Sequence, residues 1–308
     1  IFSNCVGVSG GHSISINYSP TVNINVMSIT NSSPMNINNC NVNINDLRLD
    51  GVVGPNSHNV NQSNVSFGTV SLDGVAPEID DRSWNLNMSN MNVNNWLHDG
   101  VLTSNFFNIN NLSSITINNG SMINTLNTLF NSNQLSSVNL NNLTATECSC
   151  IVNAFESRSV RMNNVTNEGP VTNPGGNLIN IEGGEIFLTA VTGYAGTGTI
   201  LNASDVQARL QNNNFYTGGT GAGAYFVNSS LQAFNTYIGA TAGTALVMQT
   251  DTFRIDGFTG YSLDSVIKIQ QNSKGYLSNT HGNSSTAFGV DLQSGSSFSN
   301  QGNNDVSG

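Results

Sequence analysis

The chain has 308 residues, 37% of them apolar and only 8% charged, with 8 Lys+Arg against 18 Asp+Glu for a formal charge of -10. So few bases in an acidic chain provide no cluster to neutralise a phosphate backbone, which argues against nucleic acid as a partner. No apolar run approaches the ~18 residues of a membrane span, which argues against direct membrane insertion.

About one residue in six is Asn, yet periodic Ile, Val, Leu and Phe set the chain apart from disordered polar tracts, which lack the apolar surface to fold. An apolar residue followed by an amide recurs at Asn17, Asn38, Asn61, Asn87, Asn108, Asn131, Asn153, Asn180, Asn202, Asn228, Gln249, Gln270 and Gln293. The interval is about 23 residues, one coil of a solenoid. Each amide closes a short strand such as Leu-Phe-Asn131 or Ile-Val-Asn153. Stacked coils would set each amide over the next at ~4.8 Å, predicting a buried ladder that satisfies its own donors and acceptors.

A second register of apolar-x-apolar strands closes at Asp73, Asn94, Asn118, Asn141, Asn163, Thr189, Gln211 and Asp256. Two positions further on, Val52, Val75, Trp96, Leu143, Val165, Val191, Ile238 and Phe258 read as an inward stack. The pattern predicts an all-β fold, a right-handed parallel β-helix of about 13 coils, because left-handed forms repeat in hexapeptides that are absent here. An unbroken repeat predicts one domain over 1–308, a rod of about 60 Å. A start at Ile1 without Met and an end in mid-pattern suggest a segment of a longer chain. Three stretches read as loops that bulge from the coils: Val75–Arg82 with its acids Glu78, Asp80 and Asp81, Thr166–Gly176, and the Gly-rich Thr217–Gly223.

Cys40 and Cys150 are about five coils apart, beyond disulfide reach, and Cys148 and Cys150 read as free thiols, consistent with assembly in a reducing compartment. His12, His58, His98 and His281 are scattered and form neither a triad nor a metal cage, so no metal or cofactor is expected.

Just after the ladder amide stand Glu156, Glu182 and Asp205 at nearly one offset, with Asp251 further on. Outward carboxylates about 5 Å apart on adjacent coils, or about 10 Å on alternate ones, have the separations of glycosidase acid pairs. Solvated turn acids explain the same pattern. Tyr194, Tyr216 and Tyr261 share another offset, where a column of exposed rings would offer pyranose faces a stacking platform; core or subunit contacts explain that alignment equally.

On its repeat and its amide ladder, the whole chain resembles the pectin-lyase-like superfamily in the broad sense, and among its members the trimeric tailspikes and fibres of viruses. That resemblance implies a homotrimeric spike or fibre on a virion surface that attaches to a host through a receptor or surface glycan. The family's lyases and hydrolases use clustered Asp with Arg or Lys on adjacent strands, and no such cluster stands out in this sequence. A polysaccharide depolymerase acting through Glu156, Glu182 and Asp205 is therefore the second expectation, and a bacterial surface or secreted adhesin the third.

Overall fold

In a computed structural model the described residues are 5–6, 14–30, 35–50, 57–73, 83–102, 105–125, 128–146, 148–168, 177–249 and 251–308. Among them there is no helix; the chain is a parallel β-solenoid of about 11 turns with ~23 residues per turn, close to the 13 expected. It divides into two compact units, Ile1–Arg158 and Ser159–Gly308.

In the first unit each turn is a short strand, a tight corner and a longer, bent strand, as in Met35–Asn38 followed by Asn41–Asp50. The bend follows from the two-residue period of a strand. Ser137–Thr146 alternates outward and buried positions, skips a beat at Asn141 and Asn142, then resumes. Asn142 takes φ 49°, a left-handed turn that resets the phase, so the apolar residues of both arms face inward. In the second unit, from Ala224 onward, a turn is three short strands such as Ala224–Val227, Ser230–Phe234 and Tyr237–Ala240.

The interior of the first unit is aromatic. Trp84, Trp96, Phe106, Phe107 and Phe130 are fully buried, and Phe107 stacks on Phe130 with centroids 5.0 Å apart. The inward stack holds Trp96 and Leu143, but below Trp96 the register brings Val70 and Leu47; Val52 and Val75 lie outside the described residues. Asp73 pairs with Asp99, so it is not in file with Asn94 and Asn118. The apolar-x-apolar pattern occurs on both arms of the bent strand, and the sequence does not mark which arm is which. Between Trp96 and Leu143 the chain has Gly120, where an added Cβ would meet Leu143 Cδ1 at 2.5 Å; the absent side chain makes room for its two large neighbours.

The amide ladder exists in a different form from the one expected. Asn36, Asn59, Asn85, Asn108, Asn131 and Asn153 form one file, while Asn17, Asn38, Asn61, Asn87, Asn110 and Asn133 form another two residues along. The repeat in the sequence passes from the second file to the first between Asn87 and Asn108. Both files face outward and are half-buried or exposed rather than internal, because they alternate with Met35, Ile37, Leu86 and Ile109, which take the inward positions. Along the files a side-chain N–H donates to the Oδ1 of the amide one turn away, as from Asn108 to Asn85 at 3.0 Å and from Asn131 to Asn108 at 3.3 Å, while at Asn87 the donor is the neighbouring Asn111. In the second unit the file keeps Asn180 with Asn202 and Gln249 with Gln270, but Asn228 steps out to a left-handed corner.

A buried polar ladder is present elsewhere, at the corner after the amide. Ser63, Ser89 and Ser113 each accept a backbone N–H from the preceding turn, and Cys40 takes the same place with its sulfur. In the second unit Ser229, Asp251, Ser273 and Ser296 continue this arrangement among themselves. The spacing Asn61-Gln-Ser63, Asn87-Met-Ser89, Gln270-x-x-Ser273 carried that signal in the sequence.

Candidate functional site

The tyrosine column lies in the second unit, on the strands Thr192–Ala195, Asn214–Thr217, Tyr237–Ala240 and Thr259–Ser262. Register places Tyr194 against Tyr216, Tyr216 against Gly239, and Gly239 against Tyr261, so the three tyrosines read from the sequence share one file with a gap at Gly239. Tyr237, two residues upstream, leans into that gap: its hydroxyl and Cε1 lie 3.1 and 3.4 Å from where a Gly239 Cβ would be. The result is a ladder of four rings, with centroids 4.9 Å apart from Tyr194 to Tyr216, 5.1 Å from Tyr216 to Tyr237 and 6.0 Å from Tyr237 to Tyr261. Sequence offset alone misses Tyr237, and the glycine at the column position is the clue to it.

Tyr194 and Tyr216 are within 10° of parallel, so these rings cover one another's faces and present edges and hydroxyls outward. The open platform expected of the column is thereby confined: beyond Tyr261 the next register partner is Asn283, and Tyr261 is 51% exposed. Burial first, then the neighbouring Tyr216 and Tyr261 hydroxyls, push the Tyr237 hydroxyl above its ordinary value, so this hydroxyl keeps its proton at physiological pH.

Two residues after the tyrosine file runs a second outward file, Gly196, Gly218, Thr241, Leu263 and Ser285. Large rings beside glycines leave a groove of about 690 Å³, lined by both files. Five strands line it, about 19 Å at the usual strand spacing. The Gly-rich segment does not bulge away from the coils. Gly218 donates its N–H to the Ala195 carbonyl at 2.9 Å, and a Cβ on Gly219 or Gly221 would collide with the backbone at Thr197 or Gly198, so this loop stacks tightly on the one before it. Sequence composition showed the glycines but not that they were pressed against a neighbouring backbone.

The acids do not gather in the same way. Glu182 pairs with Ser204, which sets Asp205 opposite Gly183, one residue out of file and at φ 56°. Glu156 belongs to the first unit, and all three are exposed. Asp251 is 2% exposed and part of the corner ladder, accepting N–H bonds from Ser229 and Gln249; burial pushes its carboxyl up to about 6, with those two bonds opposing the shift. None of these acids lines the tyrosine groove. Glu78, Asp80, Asp81 and His12 lie outside the described residues.

Among the described residues no group of three His, Cys, Asp or Glu is placed to hold a metal. His58 and His98 are buried, and His58 accepts the Met35 N–H on Nδ1 at 3.1 Å while stacking on Trp84. Cys40, Cys148 and Cys150 are free thiols; burial, partly offset by a Thr128 hydrogen bond, raises Cys150 to about 12, so it stays protonated. Comparison of the chain with protein-family models, with curated proteins and with solved structures returned no match.

Proposed function

We propose that this chain is a non-catalytic carbohydrate-binding solenoid, part of a surface spike or fibre that attaches to a host, and that a neutral oligosaccharide occupies its tyrosine groove. The observation that carries this reading is the four-ring ladder beside a file that begins with Gly196 and Gly218, which together line an uncharged groove long enough for several sugar rings. Tyr261 offers a ring face to a pyranose, and the Tyr hydroxyls, Thr241, Asn283 and Ser285 offer directional hydrogen bonds. A hydrolase needs a proton donor at the bound sugar, and no carboxylate lines this groove, which favours binding over cleavage. Homotrimeric assembly on a virion surface suits such a site, since several weak sugar contacts combine into useful avidity.

A panel of neutral oligosaccharides, titrated against the wild type, Tyr261→Ala and Thr241→Trp, tests the reading. Loss of roughly tenfold or more in affinity in both variants, with unchanged melting temperature, is the expected result. Wild-type affinity in both variants, or no neutral sugar bound by any of the three, overturns it. Sedimentation with a mass measurement tests trimer against monomer.

A further inference from the structure

A different face of the second unit concentrates the chain's scarce positive charge. One outward file runs Arg161, Phe187, Arg209, Gln232, Arg254, Tyr276 on successive strands. Lys274 stands two residues before Tyr276, on the strand next to Arg254 and diagonal to it. Four of the 8 Lys and Arg in a chain of charge -10 therefore share this face. Scattered charges would serve solubility as well; a file does not arise from that need.

The two ends of the file differ. Arg161 lies over the Phe187 ring at 4.1 Å and 3.9 Å from Glu185, so this guanidinium has partners within the protein, whereas Arg209 is 5.9 Å from the Phe234 ring, a contact with the ring face that leaves its N–H donors for a ligand. Among the described residues Arg254 and Lys274 have no ion pair, although Arg254 helps the Asn279 and Ser278 hydrogen bonds to lower Asp256. Both line a depression of about 600 Å³ together with Gln232, Tyr276, Ser297 and Ser299. Tyr276 is 51% exposed there.

The spacing selects the ligand. Arginines on alternate strands recur at about 10 Å, twice the ~4.8 Å strand spacing, which is the length of one disaccharide in an extended polysaccharide. The rungs between them carry Phe187, Gln232 and Tyr276, suited to an uncharged sugar. Nucleic acid carries a charge at every nucleotide and fits this alternation poorly.

We infer that this face is a second site, separate from the tyrosine groove, that binds an acidic polysaccharide bearing one carboxylate or sulfate per disaccharide. Arg254 and Lys274 share one anionic group, Tyr276 takes the neighbouring ring, and Arg209 meets the next anion along the chain.

Calorimetric titration of the full chain tests this with four probes: hyaluronan oligosaccharides, which carry a carboxylate on every second sugar, a sulfated glycan of the same repeat, neutral dextran, and oligothymidylate. The expected result is tighter binding of one or both acidic glycans than of dextran, weakening as salt rises. The Arg254→Gln/Lys274→Gln double variant should lose roughly tenfold or more of that affinity. Tyr276→Ala should lose it even at high salt. Whichever acidic glycan binds more tightly names the anionic group. Unchanged binding by the double variant, no binding of either acidic glycan, or tighter binding of oligothymidylate overturns the proposal. Neutral-sugar binding at Tyr261 is read separately in the same variants, so failure of one site does not mimic failure of the other.

Discussion

In the Ile1–Arg158 unit several outward files are amides: Asn64 donates to the Oδ1 of Asn41 and Asn90 to that of Asn64, and in another file Asn118 donates to Asn94 and Asn141 to Asn118. In the Ser159–Gly308 unit the corresponding outward positions carry tyrosines, arginines and phenylalanines. Both units fill the inward positions with Ile, Val, Leu, Phe and Ala. An amide in a ladder uses its hydrogen bonds on other amides and leaves little for a ligand, whereas a ring edge or a guanidinium retains capacity for one. The inward face makes a coil stack; the outward face is free to be inert in one unit and receptive in the other.

If that division holds, truncating an inward residue has the largest effect. Phe107 packs against Trp96 at 4.9 Å, Phe106 at 4.7 Å and Phe130 at 5.0 Å. Phe107→Ala should cost about 3–5 kcal/mol by leaving a cavity among rings that cannot collapse. A denaturation series reads this directly, and Tyr261→Ala on the outward face should cost less than about 1 kcal/mol in the same assay.

Asp251 breaks the division in an instructive way, as a charge on the inward side. Its folded value near 6 lies above the ordinary 3.8, so the folded chain holds the proton more tightly than the unfolded one. This contribution favours folding fully below about pH 4 and is lost as pH rises through 6. Asp251→Ser restores the residue of neighbouring turns and should remove that slope. The stability difference between variant and wild type should shift in the variant's favour by up to about 3 kcal/mol from pH 4 to pH 7. Equal slopes in the two proteins would mean that the corner is wetter than the structure shows.

How much of this was legible in the sequence depends on what a repeat encodes. Period and residue type gave the solenoid, the alignment of Asn108 with Asn131 and Asn153, and the file of Tyr194, Tyr216 and Tyr261. Facing was harder: Met-Asn-Ile-Asn38 alternates, and either set is a candidate for the inside until the apolar set is given that place by the cost of hydrating it. Register was harder still, because a two-residue slip preserves the alternation. That slip merged two amide files into one and hid Tyr237. The Arg161 to Tyr276 file needed the pairing of six strands, which no local window contains.

Asn108→Ala tests the amide files. Asn108 donates to Asn85 and accepts from Asn131, but it is only half-buried, so water replaces part of what is lost. A cost of about 1 kcal/mol is expected, well under that at Phe107 one residue away. Parity between the two would mean that the files, and not the rings, hold the first unit together.

The smallest expected effect is at Leu112, which has φ 64° and is 66% exposed, a combination that stability alone does not favour. The left-handed region costs a branched residue about 1 kcal/mol, whereas Asn, which occupies the equivalent corner at Asn39, tolerates it. The Leu112 N–H donates to the Gln134 carbonyl at 3.0 Å, a bond that any residue but proline keeps. Leu112→Asn should therefore raise stability by roughly 0.5–1 kcal/mol in a denaturant titration. A loss instead would show that Leu112 gains more from apolar contact at the corner than it spends on strain, and the outward face of the first unit would then be less inert than its amides suggest.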